Sequence, residues 1–397
     1  MSPQVPATAD VIVVGAGVQG ASLAFHLARR GVRVAVVERS GVAAGATGRS
    51  SGFVRMHYDL AVESALAWAS FPYFTNWADH VGAGDPGFVR TGFLQLADDH
   101  DAGALRLNVA AQQALGIATS VVTPVAIADL VPGIVLDGLV AGAWEPLSGY
   151  ADPSGTAAGF IAAASRLDAT LSAGVRATAI RTEGGRVTGL ATDAGTIAAP
   201  VVVVAAGAWS AALALTAGVT VPVEPWRHDT AYFGLPPNHP SSLPVVLDRP
   251  GAVYFRPEGS DLLLVGLETH NELGGSPDRP VEVGDPGFVE VAAERLCRRV
   301  PWMAAGDFRT SHGGQDGITP DQRAILGPLG AAGPDGLWLA CGFSGTGFKT
   351  APAIGASMTE WILDGRPATV DITPFSFARF ADGQLLEGEH PYGPLWS

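Results

Sequence analysis

The sequence predicts an α/β chain of mixed α+β character, and three observations predict it. Residues 10–40 read strand, glycine turn, helix, strand; residues 175–204 hold short strands joined by tight turns; and 397 residues exceed the usual span of one hydrophobic core. Two domains sharing one polypeptide are expected.

The first element is the apolar strand Val11 to Val14, which enters Gly15, Gly17 and Gly20 and then an amphipathic helix; a second apolar strand ends on Glu38. This order is a dinucleotide fingerprint. Gly15 permits the turn off the strand, Gly17 lets backbone approach a pyrophosphate, and Gly20 lets the helix pack against the strand. The helix start offers unpaired N–H groups and the positive dipole end to phosphates. Glu38 suits a ribose 2′-hydroxyl and repels the extra phosphate of NADP, which leaves FAD or NAD.

A Gly/Ala/Ser-rich loop, 41–52, follows, and then a helical pattern carrying Trp68, Phe71, Phe74 and Trp77, which Pro72 is expected to kink or divide. Residues 92–97 alternate like a strand. Asp152 before Pro153 starts a helix to about Leu167, as an N-cap ahead of a proline at the first helical position. Strands at 175–181, 187–192 and 201–204, with Gly-containing turns between them, read as a β-meander. A more polar segment, 221–301, holds candidate strands at 252–256 and 262–266 and a helix opened by Asp285-Pro286. A last strand, 336–340, enters a turn at Cys341 to Lys349, after which a helix is expected to begin near Pro352.

Composition narrows the function. With 24 Lys+Arg against 38 Asp+Glu, the net charge of -14 disfavours nucleic acid and anionic membrane surfaces, and a small-molecule enzyme fits better. Cys297 and Cys341 give neither a disulfide framework nor a metal-ligand spacing, and the nine histidines show no zinc-like pattern, so no metal is expected. The first strand begins too early to leave room for a secretory signal, and a cytoplasmic protein is expected. Residues 201–219 are uncharged, but their β-branched opening followed by Ala-Ala-Gly reads as a buried strand turning into a helix.

Backbone-exposing glycine segments return at Ala206-Gly207-Ala208-Trp209 and at Gly342 to Gly347. Three such segments can wrap an extended FAD at three places, which favours FAD over NAD. The set GAGVQG, GRSSGFVRMHY, EPLSGYADP, AAGAWS, ITPDQRAILGP and CGFSGTGFK, in this order along nearly the whole chain, resembles the D-amino-acid-oxidase-type FAD oxidoreductases, in their sarcosine oxidase and glycine oxidase branch. The resemblance implies a Rossmann-like FAD-binding domain at 1–90, 148–222 and 312–397, interleaved with an antiparallel-sheet substrate domain at 91–147 and 223–311. It also implies oxidation of a C–N bond in a small carboxylate-bearing amine by hydride transfer to flavin N5. Oxygen, giving hydrogen peroxide, is the expected oxidant, with a quinone or electron-transfer protein as the alternative; a non-catalytic flavin-binding protein is the rival of another class, and a monomer or homodimer is expected.

The same resemblance implies the site residues. Arg55 stands where such enzymes grip a substrate carboxylate, and Lys349 shares that duty; two converging cations make sense around an anion. Arg49 is expected near the flavin ring, and Tyr254 and Asp316 in the pocket with His57 and Tyr58. The cofactor is expected along the fingerprint (Gly15, Gly17, Val18, Gln19, Gly20), at Glu38 and Arg39, at Arg49, Ser50 and Ser51, and at Val175. Its remaining wall is expected from Ala206, Gly207 and Trp209, and from Gly342, Gly345, Thr346, Gly347, Phe348 and Lys349. Gly314 replaces a flavin-linking cysteine, which implies non-covalent FAD. Leu264 falls where a lysine assists reaction with oxygen, and Glu268 where a histidine lines the active site.

Overall fold

The computed structural model describes residues 5–269, 272–279 and 283–393. Its N-terminal third begins with β1 (Val11–Val14), α1 (Val18–Arg29) and β2 (Val34–Glu38). These two strands are the centre of a six-stranded sheet. Val201–Val204 and then Leu337–Cys341 continue it parallel on the β1 side, Thr170–Ala173 pairs parallel with β2, and Ile325–Pro328 closes the far edge antiparallel.

Alternation along β1 assigns its two faces. Val11 and Val13 pack with α1 and the helices Pro153–Arg166 and Gly347–Asp364, whereas Ile12 and Val14 pack against a three-stranded antiparallel layer over residues 177–198. A strand buried on both faces carries an unbroken apolar run, as β1 does. The run Val201–Val204 obeys the same rule. It was expected to end the meander, but it leaves that layer and enters the parallel sheet beside β1, with Val11 opposite Val201.

The second large sheet has nine strands, largely antiparallel, drawn from residues 93–145 and 224–318. One face buries Leu94, Val246, Phe255 and Val265 against the helix Pro286–Arg299, whose N-cap Asp285 accepts from Phe288 N–H. The other face, with Phe93, Leu247, Tyr254 and Leu264, meets Phe53 and Tyr150 and looks toward the first sheet.

Four local expectations need correction. The helix Ala61–Thr75 is not divided at Pro72 but runs through it and stops only at Asn76, so the one backbone N–H that the proline removes is not enough to end the helix. The final helix begins at Gly347, so Pro352 lies inside it; Ser22 donates to Ala351 O at 2.8 Å and Ser70 accepts from Ala353 N–H at 3.0 Å, supporting the backbone around it. The strands Glu224–Gly234 and Asp307–Ile318 were not expected at all, yet they pair over most of their length. Their polar residues are spread over both faces, with His228 and Asp316 on the cleft and Arg227 paired to Asp229, so the apolar alternation that reveals a half-buried strand is absent. Val245–Asp248 was also missed, being short. Among the described residues no helix is long and apolar enough to cross a membrane.

Candidate active site

A cleft of about 690 Å³ runs between the two sheets, from the fingerprint to the inner face of the nine-stranded sheet. Its first end is built by glycine packing. A Cβ on Gly15, whose φ is +108°, would lie 2.4 Å from Ala205 O, and one on Gly20 would lie 2.0 Å from Gly15 O. These two glycines therefore let the first helix and the end of Val201–Val204 close on β1, and Gly20 itself does not line the cleft. Gly17, Val18 and Gln19 do. Gln19 Nε2 donates to Gly347 O at 2.6 Å, tying the start of α1 to the start of the helix Gly347–Asp364.

Glu38 is held by the loop it serves: Oε2 accepts from Ala16 N–H at 3.0 Å and Oε1 from Ser40 N–H at 2.8 Å. Each oxygen keeps a free lone pair toward the cleft. Val175 donates its N–H to Glu38 O. Beside it Arg39 lies over the Trp209 ring at 3.9 Å, and Asp278 accepts from both Arg39, at 2.6 Å, and Trp209 Nε1, at 2.9 Å. Thr47 was not anticipated; its Oγ1 accepts from Val18 N–H at 3.0 Å and sits against Gly17. Ser50, Ser51, Ala206 and Gly207 line the same wall. A carboxylate for sugar hydroxyls, a glycine turn at a helix start and an aromatic ring at the end make a donor set that fits an extended dinucleotide.

The turn 342–349 forms the opposite wall. Gly345, Thr346, Gly347, Phe348 and Lys349 line the cleft, whereas Gly342 stands behind it, where a Cβ would strike Thr319 at 2.5 Å. Asp316 holds this turn: Oδ1 accepts from Gly317 N–H at 2.8 Å and Oδ2 from Gly345 N–H at 2.9 Å. Desolvation raises its pKa against those two amides. With both oxygens engaged by backbone, Asp316 shapes the turn.

Arg55 and Lys349 converge at the far end. The Arg55 guanidinium lies 4.3 Å from the Tyr58 ring centre and 5.4 Å from that of Phe93, and it donates to His57 O. Lys349 Nζ lies 5.7 Å from the same Tyr58 ring and donates only to Gly345 O, at 3.3 Å. Among the described residues, no ion pair involves Arg55, Lys349 or Arg49. Lys349 is 6% exposed, and its burial, helped by the Arg55 charge, pushes its pKa down to about 7. Behind it, Arg323 pairs with Asp59 at 2.9 Å and Glu63 at 2.5 Å.

Arg49 packs across Gly314, where a Cβ would lie 2.7 Å from its own Cβ. Tyr254 is buried, edge-on to Phe53, and its hydroxyl meets His228 Nε2. His57 is also buried, between Gln112 Oε1 at 2.8 Å and the Tyr392 hydroxyl; burial and the Arg55 charge push its pKa down to about 3, so it is neutral near pH 7. Leu264 is enclosed in the apolar cluster with Phe53, Phe93 and Tyr254. Among the described residues, buried polar atoms of cleft-lining residues that have no partner include Gln19 Oε1, Tyr58 Oη, Gln95 Nε2, Glu268 Oε2 and Arg323 Nε. Sequence reading passed over Gln95, since a glutamine inside a strand carries no spacing signal.

Comparison with known proteins bears on the family and the fold. The chain is 28% identical over 428 residues to bovine FAD-dependent oxidoreductase domain-containing protein 1, covering 97% of this chain and 87% of that protein. It is 27% identical to mouse mitochondrial sarcosine dehydrogenase across 96% of its own length but only 42% of that enzyme's. Among solved structures, L-proline dehydrogenase from P. horikoshii superposes with a TM-score of 0.88 at 24% identity, covering 96% of this chain and all of that one. Glycine oxidase from Geobacillus kaustophilus gives 0.81 at 25% identity, covering 94% and 99%. Residues 10–361 match the DAO family of FAD dependent oxidoreductases, and the chain belongs to that family.

Proposed function

We propose that this protein oxidises a C–N bond in a small amine that carries a carboxylate. One observation carries the reading: Arg55 and Lys349, two cations in one cleft wall, form no ion pair among the described residues, and a charge such as that of buried Lys349 is costly until a ligand supplies its counterion. Relatives named for sarcosine, dimethylglycine, proline and glycine support the same class. The fingerprint residues, Glu38, Arg39, Ser50, Ser51, Val175, Ala206, Gly207, Trp209 and the turn 345–348 would hold FAD. When bound, FAD supplies a two-electron acceptor that takes a hydride from the substrate carbon at N5.

The residues supply position and field. Arg55 can meet a carboxylate with two parallel N–H groups, and Lys349 adds a point charge to the same oxygens. The Tyr58 ring under both cations fixes where they sit. Holding the carboxylate leaves the amine end of a small ligand against the inner face of the nine-stranded sheet, near Tyr254. The division into two interleaved domains, 1–90 with 148–222 and 312–397, and 91–147 with 223–311, belongs to this reading, since the cleft then lies between them. FAD is held without a covalent bond: position 314 is glycine, and Arg49 fills the space beside it.

The oxidant has two readings. Oxygen, giving hydrogen peroxide, is the first; Leu264, an apolar residue in an apolar cluster, favours the second, a dehydrogenase that passes electrons to a quinone or a protein. An absorption spectrum of the purified protein and anaerobic titration with N-methyl amino acids, cyclic imino acids and D-amino acids test the function, and peroxide release in air separates the oxidants. A yellow protein bleached by none of these amines would sink the substrate class. Arg55→Met should raise the apparent Kd for a carboxylate tenfold or more, since a charge-assisted hydrogen bond contributes about 1.5–3 kcal/mol.

A further inference from the structure

Glu268 follows the strand Leu262–Leu267, donates its backbone N–H to Ala252 O at 3.2 Å, and lines the cleft. It is 5% exposed, and its Oε2 has no hydrogen-bond partner among the described residues. The charges around it are spoken for. Arg249 pairs with Asp101 at 2.8 Å, Asp248 pairs with Arg299 at 2.6 Å, and the Tyr254 hydroxyl meets His228. Arg55 feels Glu268 electrostatically, yet the two form no ion pair. One cleft thus presents an unpartnered carboxylate and, apart from it, the unpartnered cations Arg55 and Lys349. A neutral ligand satisfies neither end, and a simple anion satisfies only one.

We propose that Glu268 holds the substrate's amine, so that the site takes an amino acid as a zwitterion, with its carboxylate on Arg55 and Lys349 and its nitrogen on Glu268. The inference rests on the carboxylate reading above. Burial pushes the Glu268 pKa up to about 7, although Arg249 and Arg55 pull it down. In its ionised form Glu268 accepts a hydrogen bond from the bound ammonium, and once burial lowers the ammonium's own pKa it takes that proton: the N–H bond breaks, its electron pair stays on nitrogen as a lone pair, and the proton forms an O–H bond on Oε2. The neutral amine so formed is the species whose C–H can be oxidised.

The test uses FAD-loaded enzyme and two ligand pairs: N-methylglycine with methoxyacetate, and L-proline with tetrahydrofuran-2-carboxylate, in which an ether oxygen replaces the N–H. Equilibrium binding of the ethers is followed by flavin absorbance, and amine binding by anaerobic stopped flow. Glu268→Gln should weaken the amines tenfold or more, leave the ethers within twofold, and remove an acid limb near pH 7 from amine reduction; Glu268→Asp should restore part of the amine affinity. Of the groups facing Glu268, Arg55, Arg249, Asp101, Asp248 and Tyr254, the first four are charged and Tyr254, its pKa raised by burial, is neutral across that range. Lys349, which titrates there too, acts on ethers and amines alike. Equal loss of both ligand types, or unchanged amine binding, overturns the inference. Wild-type enzyme that binds neither ether removes the carboxylate reading itself, and this one with it.

Discussion

Lys349 shows how much of a residue's chemistry comes from its surroundings. Its identity and place after a glycine turn are plain in sequence, but its weak hold on its proton comes from burial beside Arg55. A lysine whose pKa lies near 7 is charged below that pH and loses its charge above it. Carboxylate affinity should therefore be flat below about pH 7 and weaken above it, by at most about tenfold per pH unit, because binding then takes up a proton. Measured with methoxyacetate, that slope should vanish in Lys349→Met; a slope that persists would assign the titration elsewhere. Arg55 was legible because the motif around it is local. Glu268 and Gln95 were not legible as orphans, since a missing partner is a property of the packed interior.

At the scale of elements, β1, α1 and β2 were readable because each declares itself by local periodicity and by the spacing of its glycines, even though the atom that makes Gly15 necessary, Ala205 O, lies far along the chain. Glu224–Gly234 and Asp307–Ile318 hid because polar side chains interrupt any apolar alternation and each strand is held by the other. The helix α1 also carries a pH sensor in its buried face. His26 packs against Phe25, Tyr73 and Phe160, and burial pushes its pKa down to about 3. Its folded pKa thus lies below the unfolded value of about 6.5, so the unfolded chain takes the proton first. Its stabilising contribution is complete above pH 6.5 and is lost as the pH falls toward 3. Buried Glu63 and Glu268, whose pKa values are raised to about 7, act in the opposite direction, so the comparison must be with a variant. Between pH 7 and 4.5 the Tm of wild type should fall relative to that of His26→Phe by a few degrees, at up to about 1.4 kcal/mol per pH unit. Parallel Tm curves would place the titration outside α1.

The whole molecule turns separate segments into one site. Asp278, from the nine-stranded-sheet region, reaches Arg39 and Trp209 beside the fingerprint, so residues far apart in sequence share one end of the cleft. If FAD is held by such contacts alone, acid precipitation should leave the yellow colour in the supernatant; flavin that stays with the precipitated chain would refute non-covalent binding. The sequence by itself determined the dinucleotide turn, the disfavouring of NADP by Glu38 and the presence of cations at Arg55 and Lys349, because each depends on residue type at short spacing, while FAD over NAD came from glycine segments repeated along the chain. Only the tertiary structure decided that Gly20 and Gly342 pack behind the cleft, that Asp316 holds a turn, and that Glu268 lines the same cleft as the cations with an oxygen that has no partner among the described residues. Those outcomes depend on which surfaces meet across two sheets, and the contacts that decide them join residues that no local pattern connects.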